Sequence, residues 1–138
     1  MAKGVSYINP PGTTKPVSPY SHASIVEGGR IVHIAGQVSA DGAGNTIGAG
    51  DPRAQIEQAF ANIETVLKGL GADFTCVCAF TTYIVGAAMR EPWFACRTDV
   101  YKRIYPGGAY PPNTLLIIEG LAKPEYLVEI SAIARLPD

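Results

Sequence analysis

Two apolar runs near the C-terminus constrain the fold more than any other feature of the chain. Thr114–Ile118 and Leu127–Ile130 are rich in leucine and isoleucine, and a turn segment with Gly120 and Pro124 separates them. Short apolar runs bounded by turn residues are typical of buried strands. Because consecutive side chains of a strand point to opposite sides, each run supplies apolar side chains to both faces of a sheet.

A long helix is predicted in the first half of the chain. Asp51 can cap its N-terminus, Pro52 suits its first position, and Gly71 can end it in a left-handed conformation. Between these signals, apolar residues recur at the spacing of one helical face. The predicted stripe consists of Ile56, Phe60, Ile63, Leu67 and Leu70.

A second helix is predicted to begin at Pro92 and to end at Pro106. Its predicted apolar side consists of Trp93, Phe94, Val100, Tyr101 and Ile104. Between the two helices, Cys76–Val85 is a continuous apolar and β-branched run, which predicts a central strand.

The N-terminal part is predicted to contain a hairpin. Ser24–Val26 and Ile31–Ala35 are short strand-like runs, and the segment Glu27–Arg30 between them carries two glycines that favour a tight turn. Residues 1–17 are rich in proline and glycine and are predicted as a mostly irregular arm with one short edge strand. From the hairpin onwards, the predicted order is ββ-α-β-α-ββ.

The pattern predicts a single domain over residues 1–138, since a chain of this length can build one core without staples. Its fold class is α+β, with a mixed sheet and two helices on one face. Those helices leave the other, partly apolar face uncovered. Only 17% of the residues are charged, which also favours a surface covered by a partner. A closed homo-oligomer satisfies both observations.

Charge and hydropathy indicate whether the chain binds nucleic acid or a membrane. The net charge is −1 and no run of lysine or arginine occurs, whereas nucleic-acid binders concentrate positive charge. The N-terminus lacks an apolar signal core, and no run reaches the length that spans a bilayer. We therefore expect no nucleic-acid partner, no membrane partner and a cytoplasmic location.

Cys76, Cys78 and Cys96 are predicted to be buried small hydrophobes. Three thiols cannot form a complete disulfide framework. A metal site needs about four ligands at suitable spacing, which this sequence does not offer. No metal site is predicted.

Glu129 is the carboxylate with the least ordinary position, because it interrupts the apolar run Leu127–Ile130. On a strand it shares a face with Leu127, Ser131 and Ile133. A carboxylate there either pairs with a donor or lies at a pocket, and the pattern leaves both open. Glu119, in contrast, follows its run and is typical of a solvated strand end.

From about residue 15 to residue 135, the chain resembles the RidA/YjgF family of reactive imine and enamine deaminases. The matching segments are Pro19–Ala23, Ile34–Val38, Gln55–Leu70, Phe94–Tyr105, Pro112 and Glu129–Ile130. The resemblance implies a chorismate-mutase-like fold and a homotrimer with clefts between the subunits. It also implies hydrolysis of imines to carbonyl compounds and ammonia, without a metal or organic cofactor.

Position by position, the resemblance assigns candidate site residues. Tyr20, by itself more typical of packing, would line the cleft, and Gly36 would allow close approach of the backbone. The backbone of Leu115 would contact the substrate amine or a water, and Glu129 would position and activate that water. Thr98 stands where many members carry asparagine.

Asn113 is the main departure from the family, whose deaminases carry a carboxylate-binding arginine there. An asparagine amide offers weaker, neutral donors in place of a charged fork. A loss of about 2 kcal/mol weakens carboxylate binding roughly 30-fold. Arg90, Arg97, Lys102 or Arg103 could reach the cleft in its place, and the sequence does not say which of them does.

The sequence therefore supports more than one function. The leading hypothesis is a cofactor-free hydrolase of the imine deaminase type that acts on an imine without a carboxylate, with Glu129 as the catalytic residue. Its substrate-binding residues would be Tyr20, Gly36, Thr98, Asn113 and Leu115. The alternative is a non-catalytic trimer that binds a small metabolite or has a regulatory role. RNA cleavage is a third, minor alternative.

Overall fold

Residues 4–137, described by a computed structural model, form a four-stranded mixed sheet with two helices on one face and a separate two-stranded sheet. The strands are β1 (Val5–Ile8), β2 (Ala23–Val26), β3 (Arg30–Gln37), β4 (Val77–Val85), β5 (Asn113–Ile118) and β6 (Val128–Leu136), and the helices are α1 (Pro52–Gly69) and α2 (Arg90–Ile104). The large sheet has the order β3-β6-β4-β5, in which only β4 and β5 run parallel. The predicted α+β fold class is confirmed.

Alternation along β6 separates the two faces of the sheet. Val128, Ile130 and Ala132 are buried beneath the helices, whereas Glu129 and Ile133 point to the opposite side. We call that opposite side the open face, because neither helix covers it. Among residues 4–137, neither helix is long and apolar enough to cross a bilayer.

Helix α1 begins and ends as the sequence predicts. The Asp51 carboxylate accepts a hydrogen bond from the Ala54 N–H at 3.1 Å, and Gly71 adopts a φ of +72° just beyond the helix. Ile56, Phe60, Ile63 and Leu67 are buried as expected. Leu70 is 42% exposed instead, because it caps the C-terminus and lies beyond the last packed turn.

Helix α2 differs from its prediction in two ways. It begins at Arg90, and Pro92 is accommodated in the first turn, where a backbone N–H has no partner within the helix. Its buried side also differs, since Phe94 is 38% exposed while Arg97 is only 1% exposed. Arg97 lies four residues from both Trp93 and Tyr101, and its guanidinium packs over both rings.

Phe60 connects the two helices to the sheet. Its ring stacks on Trp93 of α2, with centroids 5.9 Å apart and planes 14° apart. The same ring meets Phe80 of β4 and Tyr101 of α2 edge-on, at 6.0 and 6.1 Å. Such pairs add to the free energy of burying the rings and fix their relative orientation.

The predicted hairpin between β2 and β3 is wrong. β2 pairs with β1, in the N-terminal arm, whereas β3 pairs with β6. Gly28 and Gly29, with φ of +59° and +80°, turn the chain between them. Arg135 of β6 donates through Nε to the carbonyls of Glu27 and Gly28, at 3.0 and 3.1 Å. The turn is thus held by β6 and redirects the chain from one sheet to the other.

Gln55 links α1 to the segment that precedes β6. Its Nε2 donates to the carbonyls of Gly48 and Glu125, at 3.2 and 2.9 Å, and its Oε1 accepts from the Leu127 N–H at 2.9 Å. The side chain is fully buried, so water cannot replace these bonds.

We expect Gln55→Leu to lower the free energy of unfolding by about 2–4 kcal/mol, because it leaves several buried backbone groups without a partner. Urea denaturation measures this loss. Gln58→Leu is the control, since within residues 4–137 the Gln58 amide bonds only to the side chain of Asn62. That control should change stability by less than about 1 kcal/mol. Equal stabilities of the two variants would contradict the assigned role.

Candidate functional site

Glu129 and Gly36 lie against each other on the open face. A Cβ built on Gly36 would overlap the Glu129 carboxylate, lying 2.6 Å from its Cδ and 2.8 Å from its Cγ. Only glycine therefore leaves room for the Glu129 side chain in this position. The two residues were both predicted to be site residues, and the structure brings them together.

The Glu129 carboxylate has no hydrogen bond or ion pair with any residue in the range 4–137. In the register of the sheet, Glu129 lies opposite Tyr83 of β4, which in turn lies opposite Leu116 of β5. Ile133 and Leu116, on the same face, are 38% and 39% exposed. A partly buried carboxylate with free oxygens thus stands among exposed apolar side chains, where it can accept a proton or bind a water.

Asn113 lies on the other side of the sheet. Its Oδ1 accepts a hydrogen bond of 2.8 Å from the Thr82 hydroxyl, and Thr82 is fully buried. In the parallel register Asn113 pairs with Phe80, a core residue beneath the helices. The Asn113 carbonyl is therefore occupied, and its NH₂ group is the part that can still donate to a ligand.

The backbone N–H and C=O of Leu115 point outward from the edge of the sheet. β5 is an edge strand, and the Phe80 N–H donates to the Pro112 carbonyl while the Gly86 N–H donates to the Ile118 carbonyl. Hydrogen bonding to one neighbour alternates along an edge strand, so these bonds leave the N–H and C=O of Leu115 pointing away from β4. The Leu115 side chain packs against the core.

Thr98 lines a cleft between the N-terminal arm and α2, and Tyr20 is next in sequence to the lining residue Pro19. The cleft measures about 360 Å³, and it is lined by Val17, Ser18, Pro19, Phe94, Arg97 and Thr98. The Tyr20 ring packs edge-on against the ring of His22, with the two centroids 5.4 Å apart. The Thr98 hydroxyl donates to the Phe94 carbonyl of its own helix at 2.8 Å. Thr98 thus offers a ligand an acceptor oxygen.

Of the four cations that the sequence offered for the cleft, Arg97 is the one in this lining. Its Nε and Nη2 are buried and have no hydrogen-bond partner among the described residues. Burial lowers the pKa of the guanidinium, and the nearby hydroxyls of Tyr101 and Tyr110 partly offset this effect. The spacing of Trp93, Arg97 and Tyr101 could have shown that Arg97 shares a face with two aromatic residues, because positions four apart lie on the same side of a helix.

Within one protomer the predicted site residues form three separate groups. Gly36 and Glu129 lie on the open face, Asn113 and Leu115 lie on the helix side at the β5 edge, and Tyr20 and Thr98 lie beside the arm. No hydrogen bond or ring contact described for residues 4–137 joins these groups. A single site that contains both Asn113 and Glu129 would require a second copy of the chain.

The cysteines show no sign of chemistry. All three are buried and free, as predicted. Burial raises the pKa of the Cys96 thiol to about 11 and also raises the pKa of Cys78, so both remain protonated at neutral pH. Within residues 4–137, no three side chains of the histidine, cysteine, aspartate or glutamate type come together as metal ligands.

Comparisons with known proteins agree with this architecture. A family described as Endoribonuclease L-PSP matches residues 12–136. YyfB from Yersinia pestis, described as a Rid family protein of unknown function, is 34% identical, over 96% of this chain and 99% of that one, with a TM-score of 0.87. RidA from an Antarctic Psychrobacter is 26% identical over 88% and 92%, with a TM-score of 0.65. The YjgF gene product from E. coli is 18% identical over 94% and 98%, with a TM-score of 0.67.

These likenesses define the class first: an α+β protein with the chorismate-mutase-like fold of RidA and YjgF. Because the family match covers residues 12–136 and a Rid protein shares 34% identity over nearly the full length, the chain belongs to the Rid/YjgF family. The predicted family membership is confirmed.

We expect Gly36→Ala to keep the fold but to force Glu129 into another rotamer, because the added Cβ and the present carboxylate cannot occupy the same space. A crystal structure of the variant measures the displacement. Gly42→Ala serves as the control, since a Cβ there meets no atom within 4 Å. An unchanged Glu129 conformation in Gly36→Ala would contradict the close approach.

Proposed function

We propose that the protein is a cofactor-free hydrolase that converts a small imine or enamine into a carbonyl compound and ammonia. The observation that supports it most directly is the free carboxylate of Glu129, held against Gly36 on an open apolar face. A carboxylate in partly apolar surroundings, with no protein partner in residues 4–137, is available to bind and deprotonate a water.

The proposed reaction needs only water and a proton carrier. Glu129 takes a proton from a water while the water oxygen adds to the imine carbon and the C=N bond becomes a single bond. Glu129 then returns that proton to the nitrogen. The nitrogen of the resulting carbinolamine then gains a proton from solvent, and the O–H proton passes to solvent. The C–N bond breaks, the C=O bond forms, and ammonia leaves. One imine and one water thus give one carbonyl compound and one ammonia.

The site is proposed to be complete only in a homotrimer. Glu129 and Asn113 face opposite sides of the same sheet, so one chain cannot present both to one ligand. A second copy that covers the open face would bring its own β5 edge or arm cleft towards Glu129. The exposed apolar side chains of Ile133 and Leu116 suit such an interface.

Asn113 bears on the substrate. Its remaining NH₂ donors are neutral, so this position favours an imine with an amide or hydroxyl group there over one with a carboxylate. The family description also names an endoribonuclease. The expected lack of nucleic-acid binding therefore stays a prediction, and a short RNA belongs in the substrate panel.

A second candidate function is ligand binding without turnover, as in a regulatory protein. The neutral amide of Asn113 favours it, because asparagine supplies no charge to a transition state and its carbonyl is already occupied by the Thr82 hydroxyl. Such a protein would be stabilised by its ligand through mass action, with no ammonia formed.

We expect Glu129→Gln to lower the kcat of ammonia release by about 10²-fold or more, because glutamine cannot take up the proton of the attacking water. A coupled ammonia assay on a panel of neutral and carboxylated imines measures the rate. Glu119→Gln, an exposed carboxylate just beyond β5, is the control and should keep the wild-type rate.

Equal background rates for wild type and Glu129→Gln on every imine would remove the hydrolase proposal. A rise in melting temperature with one of these compounds, without ammonia release, would then support the binding function.

We expect the wild-type protein to have three times the mass of the 14.6 kDa chain in solution. Ile133→Lys should yield monomers, because a charge at the centre of the open face cannot be buried unpaired. Size-exclusion chromatography with light scattering measures both. Ile25→Lys, at an exposed position in the two-stranded sheet, should remain trimeric. A monomeric wild type would refute the shared cleft.

A further inference from the structure

The unpaired edge of Arg97 has the geometry of a carboxylate site. Nε and Nη2, the two buried nitrogens without a partner in the described residues, share one edge of the planar guanidinium. Their N–H groups are parallel and spaced to meet the two oxygens of one carboxylate. Arg97 is only 1% exposed, and a buried charge of this kind is costly unless something pairs with it.

The protein groups that surround these two nitrogens leave them unpaired. Trp93, one turn earlier in α2, also buries an indole N–H without a partner among residues 4–137. The Arg97 Cζ lies 5.7, 5.8 and 5.2 Å from the ring centroids of Trp93, Phe94 and Tyr101. The faces of these rings stabilise the positive charge. They do not accept hydrogen bonds from the N–H groups, which lie in the plane of the guanidinium.

The cleft that Arg97 lines is suited to a small organic anion. Its volume is about 360 Å³, which is within the size range of small-molecule sites. Val17, Pro19 and Phe94 make part of its wall apolar, and Ser18 and Thr98 add hydroxyl oxygens. Arg97 is the one cation in this lining, so its charge matches a monoanion such as a carboxylate better than a phosphate dianion.

We propose that Arg97 binds the carboxylate of a small-molecule ligand in the cleft between the N-terminal arm and α2. The assignment of that ligand as the substrate rests on the proposed function. It revises the expectation of an uncharged substrate, which depended on Asn113 alone. The carboxylate would lie at Arg97, and Asn113 would contact a neutral group of the same molecule.

Phe94 lies beside the guanidinium in the same cleft lining. Its ring is 38% exposed, whereas the two unpaired nitrogens of Arg97 are shielded from solvent. The exposed ring therefore offers the apolar part of a ligand a surface next to the site proposed for its carboxylate.

The test uses the full-length chain and its single tryptophan, Trp93, as the reporter. Titration with pyruvate, with its neutral amide and with inorganic phosphate is followed by tryptophan fluorescence and by calorimetry. We expect pyruvate to bind, the amide to bind much more weakly, and Arg97→Met to weaken pyruvate binding at least about 30-fold. Arg90→Met, at the exposed start of α2, is the matched control and should bind as wild type.

Arg97→Met should fold, because methionine fills the same apolar space and removes an unpaired buried charge. Urea denaturation and the retained trimer mass check this. If wild type does not bind pyruvate, or if Arg97→Met binds it equally well, the carboxylate site is refuted. Tighter binding of phosphate than of pyruvate would refute the assigned ligand class.

Ammonia release separates this inference from the proposed function. With active enzyme, Arg97→Met should raise KM for carboxylated imines at least about 30-fold and leave KM for neutral imines unchanged. Pyruvate binding that depends on Arg97, without ammonia from any imine, would support the site and refute the hydrolase. Turnover of neutral and carboxylated imines that Arg97→Met does not change would refute the site and support the hydrolase.

Discussion

Alternation of side chains along β6 is the constraint on which the rest of the structure depends. Val128, Ile130 and Ala132 must face the helices, because Phe60 and its aromatic neighbours can be covered only from that side. The period of two then forces Glu129 outward. The core residues and the candidate catalytic residue therefore lie on opposite faces of β6. A shift of the register by one residue would exchange the side chains on the two faces. Gly36 lies on β3 where the pairing with β6 shifts by one residue between Ile34 and Gln37, and it leaves room for the carboxylate that alternation has turned towards it.

Local signals predicted much of this fold. The cap at Asp51, the left-handed Gly71 and the helical stripe of α1 each depend on residues close in sequence, and each was found where expected. The partner of β2 was not predictable in this way. Two glycines favour a tight turn, but the choice between a hairpin and a change of sheet is made by Arg135, more than a hundred residues away. Long-range hydrogen bonds of this kind leave no local pattern.

The candidate site was predictable in its residues but not in its assembly. Glu129 stands out because it interrupts an apolar run. Gly36 was predicted as a second site residue from the family resemblance. Arg97 was offered by the sequence only as one of four candidate cations, because arginine is ordinarily exposed and its burial was not predicted. Its burial follows from three aromatic rings supplied by its own helix, which no hydropathy pattern reports. The separation of Asn113 from Glu129 follows from the parallel pairing of β4 and β5, which the sequence does not specify.

The hydrogen bond from Thr82 to Asn113 couples the stabilities of the two positions. Thr82 is fully buried, and the Asn113 carbonyl is the acceptor for its hydroxyl. An arginine at position 113 has no acceptor atom, so it would leave that hydroxyl unpaired at a cost of about 1–3 kcal/mol. The free-energy changes of substitutions at the two positions are therefore not additive, and arginine at position 113 costs less stability once Thr82 is replaced by a residue without a hydroxyl.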